Sequence, residues 1–259
     1  MQETSALYKQ IISGQHWFET SLAIGESGRL ITERNEVITF AGTSILVSRG
    51  GGDSGYGENW LINMSARKSM FANGSPEVGC CISGEIDVKL LKPTGDIPRM
   101  AMLAPYIRAA NGTAKSEWIQ KGVYFIDTRE ISEDAAGNTV LTIHGYDAML
   151  KAEQPYSGAL LNWPSTDIQV VRDIAAYMGV SLDVRTVAII THGYAVQLPV
   201  SYTMREVLGG IAAMYCGCFI MSDVGELRLV RINELPAETR YLIDNAGYAI
   251  TFGGDRIRV

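Results

Sequence analysis

The chain nearly repeats itself. Residues 30–47 read LITERNEVITFAGTSILV, and residues 242–259 read LIDNAGYAITFGGDRIRV. Leu30, Ile31, Ile38, Thr39, Phe40, Gly42, Ile45 and Val47 recur without a gap, 212 positions later, as Leu242, Ile243, Ile250, Thr251, Phe252, Gly254, Ile257 and Val259. A repeat at fixed offset constrains the fold more than any composition figure, because equivalent sequence builds equivalent units. If both copies open equivalent domains, the chain holds one whole domain, something between, and the start of a second. β-rich segments also resemble one another by chance, so the repeat alone leaves both readings open.

At 259 residues the chain suits one large domain or two of ordinary size. Its 47% hydrophobic and 19% charged content is that of a globular protein, not a disordered one. The net charge of −6, without any Lys/Arg run, argues against a nucleic-acid coat. No apolar run is long enough to span a bilayer, and the first residues, MQETSALYKQ, lack a secretory leader's pattern.

The organisation is read from periodicity and punctuation. Residues 5–15 suit a short helix ending near Gly14. Strands are expected over 18–24, 37–47, 84–91, 106–110, 122–130 and 139–145. The clearest is 84–91, where Ile86, Val88 and Leu90 alternate with Glu85, Asp87 and Lys89. Asp147 is placed to cap a short helix, DAMLKAE, and Pro155, Gly158 and Pro164 mark a linker. Beyond it, Thr166-x-x-Gln169 and Thr203-x-x-Glu206 read as capping boxes. The first helix runs to Met178 and closes at Gly179. The second runs to about Tyr215 and closes at Gly217. Strands are expected after each, over 181–185 and 218–222, and a hairpin returns through 226–230. The expected class is α+β, mainly β. An antiparallel β-barrel-like domain (1–156) precedes a small α/β domain of two helix–strand units (163–232). Residues 236–259 then begin a second, related barrel.

Candidate chemistry is sparse. His16, His144 and His192 show no spacing that selects a triad, and no GxSxG elbow occurs. His144, three positions before Asp147, reads as a strand-end histidine bonded to backbone. Glu85 and Asp87 share a strand face, as paired carboxylates of a glycosidase could, but the alternating Lys89 favours a solvated face. Glu133, Asp134 and Asp96 fall in turns. The glycine-rich stretch 49–57 lacks the Lys-Ser/Thr of a phosphate loop. Cys80, Cys81, Cys216 and Cys218 lack zinc-site spacing and read as buried reduced thiols; Cys80 and Cys81, being adjacent, should not share a partner. Trp17, Trp60, Trp118 and Trp163 are dispersed; core and interface use outweighs a sugar platform. No catalytic, cofactor-binding or metal residue is assigned, and no cofactor is expected.

Residues 78–156 carry a resemblance. GCCISGEIDVKLLKPTGDIPRMAMLAPYIRA, EWIQKGVYFIDTREI and VLTIHGYDAMLKAEQPY resemble the first barrel of bacteriophage tail-hub proteins, the baseplate hub or tail-associated proteins of prophages in Gram-positive bacteria. The pattern is an acidic alternating strand (85–90), a GVFYID-type strand (122–127) and a LTITAYD-type strand (141–147) entering a short helix. Residues 201–230, SYTMREVLGGIAAMYCGCFIMSDVGELRLV, are similar to the next domain of that family.

The resemblance implies a trimer in which each subunit supplies two related barrels around a central channel. The ring meets a tail tube or distal tail protein, near the tape measure protein, in a virion tail assembled in the host cytoplasm. It implies no enzyme, no membrane and no specific nucleic-acid binding. The chain departs from the pattern in that its second barrel barely starts and no hydrolase segment is present. Two other functions are weighed: a tail-associated peptidoglycan hydrolase or endopeptidase fragment, and a cell-surface glycan-binding module using Trp60 and the glycine-rich loop.

Overall fold

Long antiparallel ladders organise the first half of the chain. The computed structural model describes residues 4–25, 55–71, 74–92, 97 and 101–232, and the backbone of 28–29, 39–40, 43–44, 46–47, 251–252 and 255–256. After helix α1 (Ala6–Ile12) come strands β1 (Trp17–Gly25), β2 (Leu61–Arg67), β3 (Glu85–Leu91), β4 (Met102–Ala110), β5 (Tyr124–Glu133) and β6 (Thr139–Asp147). They pair antiparallel in the order β1-β4-β5-β6-β3-β2, with the short strand Ile119–Gln120 beside β4. On β3, Ile86, Val88 and Leu90 are at most 1% exposed while Lys89 lies in solvent, as the alternation requires. β4 and β5 run furthest past their expected bounds, each following its partner strand. β4 starts at Met102 to pair with Gly25, and β5 continues to Glu133 to pair with Thr139. β2 has no expectation to meet: its burial follows no clean alternation.

The sheet is curled. Leu22 on β1 and Tyr56 exchange hydrogen bonds of 2.9 and 2.8 Å, and Leu91 at the end of β3 donates to Trp60 O at 2.9 Å. In a flat sheet, Tyr56 outside β1 and Trp60 outside β3 would stand about 29 Å apart, at roughly 4.8 Å per strand. Four residues of chain reach only about 14 Å. The expected barrel is therefore a curled sheet with no ladder joining β1 to β2 among the described residues. Its inner face buries Leu22, Ile86, Val88, Leu90, Leu103, Tyr124, Ile126, Leu141 and Ile143 as one cluster.

A second cluster forms where the chain turns helical. It packs α2 (Asp167–Met178), α4 (Met204–Met214), a 3₁₀ helix (Ala148–Glu153) and the hairpin β7 (Gly217–Met221) and β8 (Leu227–Arg231). Both capping boxes are present. Thr203 N–H donates to Glu206 Oε2 at 2.7 Å, and Glu206 N–H returns a bond to the Thr203 hydroxyl at 3.2 Å. Gly179 closes α2 in the left-handed region at φ 72°, which a side chain would resist.

Two local expectations change. The strand expected over 181–185 is a single bridge, Leu182 to Leu227, followed by helix α3 (Val184–Ile189). The buried Asp183 side chain accepts the Arg185 N–H at 2.8 Å and caps that helix, which outweighs the β-branched residues around it. The left-handed turn after α4 falls on Cys216 (φ 52°), not on Gly217. Gly217 is instead the first strand residue, where a Cβ would lie 2.6 Å from Val230 O.

The two clusters meet along a seam. Gly79 and Gly209 pack backbone to backbone there: a Cβ on Gly209 would lie 2.7 Å from Gly79 O. Arg205 on α4 reaches across it, donating to Cys81 O, to Ser83 Oγ at 3.0 Å and to Met149 O at 3.2 Å, with Glu153 Oε1 2.9 Å from its Nε.

The two copies of the sequence repeat fold alike where they are described. Thr39 pairs with Ser44 and Phe40 with Thr43. At the same offset, Thr251 pairs with Arg256 and Phe252 with Asp255. Each register leaves two positions between the paired residues; these lie outside the described residues, and the sequence has glycine at 42 and 254. The remaining positions of both copies, and most of the second barrel expected over 236–259, lie outside the described residues.

Candidate functional site

The residues considered for catalysis stand apart. His16 Nδ1 lies 2.8 Å from Gly14 O, beside the edge of Phe18. His144 pairs across the ladder with Asp87, Nδ1 to Oδ1 at 2.7 Å, so its partner is a carboxylate rather than the expected backbone. Asp147 points elsewhere: it accepts Gly84 N–H at 2.7 Å and Met149 N–H at 3.0 Å, capping the 3₁₀ helix. Burial pushes its carboxyl up to about 6, against those two bonds. His192 stacks on Tyr194 at 5.2 Å. No triad forms from these groups.

The carboxylates make cross-strand pairs. Glu85 lies 3.5 Å from Arg67, and Asp87 holds His144. Asp134 is consumed by its own turn, accepting Ala136 and Asn138 N–H. Asp96 and residues 49–54 of the glycine-rich stretch lie outside the described residues. Among the described residues, no group of three or more His, Cys, Asp or Glu is placed to hold a metal ion. No helix among them is long and apolar enough to cross a membrane. The tryptophans occupy four settings. Trp118 lies under the Arg108 guanidinium at 4.2 Å, and Trp163 donates to Gly158 O at 2.9 Å. Trp60 meets the edge of Tyr56, while Trp17 is half exposed at the start of β1.

What the fold does offer is strand edges. Among the described residues, β2 pairs only with β3, and β1 pairs only with β4 apart from the Tyr56 bridge. β5 pairs with β4 only at Tyr124 and Phe125, so its far half has one ladder, to β6. Unpaired edges present rows of N–H and C=O groups that a partner chain can complete. Apolar side chains accompany them: Trp17 and Phe18 on β1, Ile62 on β2 and Ile131 on β5 are each about half exposed. Charge ties this end of β1 to its neighbours. Glu19 binds Arg108 at 2.7 Å and Lys115 at 2.8 Å, and the Lys115 and Arg108 bonds hold its carboxyl below the ordinary range. Sequence reasoning missed the Arg205 clamp and β2, since neither has a local pattern.

No family model matches this chain, and no curated protein matches it. Solved structures similar to it include the 43 kDa tail protein of prophage MuSo2 from Shewanella oneidensis, at 15% identity and TM-score 0.49, covering 92% of this chain and 62% of that one. A tail protein from Neisseria meningitidis MC58 is similar at 11% identity and TM-score 0.46, covering 82% and 51%. Prophage tail protein gp18 from Listeria monocytogenes EGD-e is similar at 9% identity and TM-score 0.42, covering 87% and 55%. The chain thus spans roughly half to three-fifths of the length of these structures.

Proposed function

We propose that this chain is a structural part of a phage tail tip or baseplate hub. It would join the tail tube or distal tail protein to the tip, as a trimer around a central channel. One observation carries the reading. The three stretches that resemble tail-hub sequence (85–90, 122–127 and 141–147) fall on β3, β5 and β6, which are adjacent in one sheet in the order β5-β6-β3. The resemblance therefore covers a contiguous piece of three-dimensional structure rather than scattered segments. The matched hairpins at 39–44 and 251–256 support a second, related barrel beginning after the helical cluster. The domain division that goes with this reading is 1–156, 163–232 and 236–259. Open edges on β1, β2 and β5 suit a ring in which neighbouring subunits cover one another.

The test pairs two measurements on the purified chain. Sedimentation is expected to give three times the chain mass at high concentration. Incubation with Gram-positive cell walls is expected to release nothing. Release of muropeptides overturns the structural role in favour of a hydrolase.

A further inference from the structure

The cysteines separate by face. Residues 79–81 run alongside β7: Gly79 N–H donates to Gly217 O at 2.8 Å, Phe219 N–H donates to Cys80 O at 3.0 Å, and Cys81 bridges Phe219 in parallel register. Adjacent positions on an extended chain point to opposite faces. Cys81 and Phe219 both face the helical core, at 5% and 0% exposure. Cys80 and Cys218, one position earlier on each chain, therefore share the other face. That register sets the two side chains beside one another, and the Cys218 thiol donates to Glu77 O at 3.1 Å. Both thiols are free. Neighbouring paired chains hold their α-carbons about 4.8 Å apart, inside the roughly 4.4–6.8 Å that a disulfide spans.

We propose that Cys80 and Cys218 are an oxidation site, closing to a disulfide by exchange with a small-molecule disulfide such as oxidised glutathione. Cys80 is partly exposed and Cys218 is fully buried, which sets the order of events. The Cys80 thiolate attacks one glutathione sulfur; that sulfur–sulfur bond breaks and a glutathione thiolate leaves. The Cys218 thiolate then attacks the Cys80 sulfur, forms the protein disulfide and expels the second glutathione thiolate. Two protein thiols are oxidised, one glutathione disulfide is reduced, and the two thiol protons pass through solvent to the departing thiolates. Cys81 is turned to the opposite face, into the core and away from both sulfurs, and burial pushes its thiol up to about 12; burial raises the Cys218 thiol as well, so the second exchange is the slow one. Cys216 is exposed and serves as the internal contrast.

The bond would join positions 138 apart (218 − 80) and staple the connection before β3 to the β7–β8 hairpin. Closing so long a loop restricts the unfolded chain and raises Tm by roughly 5–10 °C. The site does not depend on the tail reading.

The test oxidises the full chain with excess glutathione disulfide at about pH 8, alkylates it in denaturant with N-ethylmaleimide, and weighs it. Of the chain's four cysteines, the Cys216→Ser variant leaves three. It is expected to take three labels before oxidation and one after, with no glutathione retained. Fragmentation of the linked tryptic peptides is expected to join Cys80 to Cys218 in both this variant and the natural chain. The Cys80→Ser/Cys216→Ser variant is expected to take two labels before and after. Three labels persisting in Cys216→Ser, glutathione retained on Cys80, or a bond through Cys81 overturns the proposal.

Discussion

In the curled sheet, the residues that meet are far apart in the chain. Leu22 bonds Tyr56, β1 pairs with β4, and β6 pairs back to β3. In the helical cluster, the helix caps are made by residues three positions apart or fewer: Thr166 with Gln169, Thr203 with Glu206, Asp183 with Arg185. Among the described residues the sheet region keeps unpaired edges, while the helices of the other region cap their own ends. Unpaired strand edges are the places where a sheet can accept a further strand. The seam through Gly79, Gly209 and Arg205 decides whether the two behave as one body.

The largest effect that can break this comparison comes from the cores. Phe219→Ala in the helical cluster and Leu103→Ala in the sheet remove fully buried side chains. Each is expected to cost about 3–5 kcal/mol in denaturant unfolding. If the seam couples the regions, either variant lowers a single transition; two separate transitions would show that they unfold independently.

A pH effect comes next. The unfolded Asp147 carboxyl has its ordinary value of 3.8, and burial raises the folded one to about 6. The folded state therefore binds the proton more tightly. This group's contribution is most favourable below pH 4 and is lost as pH rises through 6, by about 3 kcal/mol. Asp147→Asn removes that titration. The stability of the natural chain relative to this variant is expected to fall by that amount between pH 4 and 7. A constant difference would refute the burial argument.

Arg205→Met tests the seam itself. It deletes the bonds to Cys81 O, Ser83 and Met149 O and leaves Glu153, half exposed, to water. A loss of about 2–3 kcal/mol is expected, with broadening or splitting of the thermal transition. An unchanged, single transition would place the coupling elsewhere. The smallest effect is local. Thr203→Ala opens one capping box and is expected to cost about 1 kcal/mol without altering the oligomeric state.

These contrasts also explain what could be read from the sequence. Capping boxes, the alternation of Ile86, Val88 and Leu90, and the hairpin returning through 226–230 are local, and each was legible. The helix at 184–189 was not, because its cap, Asp183, works by being buried against β8, whose Leu227 accepts the Asp183 N–H at 3.0 Å. β2 was invisible because its burial follows the curl of the sheet and not a period of two. The candidate docking edges were legible only as strands; which of them stay unpaired is a property of sheet order. The His144–Asp87 and Cys80–Cys218 meetings depend on register between strands more than 50 positions apart, which no spacing rule records.

Electron microscopy of tailed particles labelled with an antibody against this chain tests the proposed role most directly. Label is expected at the distal end of the tail, on density with three-fold symmetry. Label absent from the particles, or confined to the capsid, would contradict a tail-tip hub.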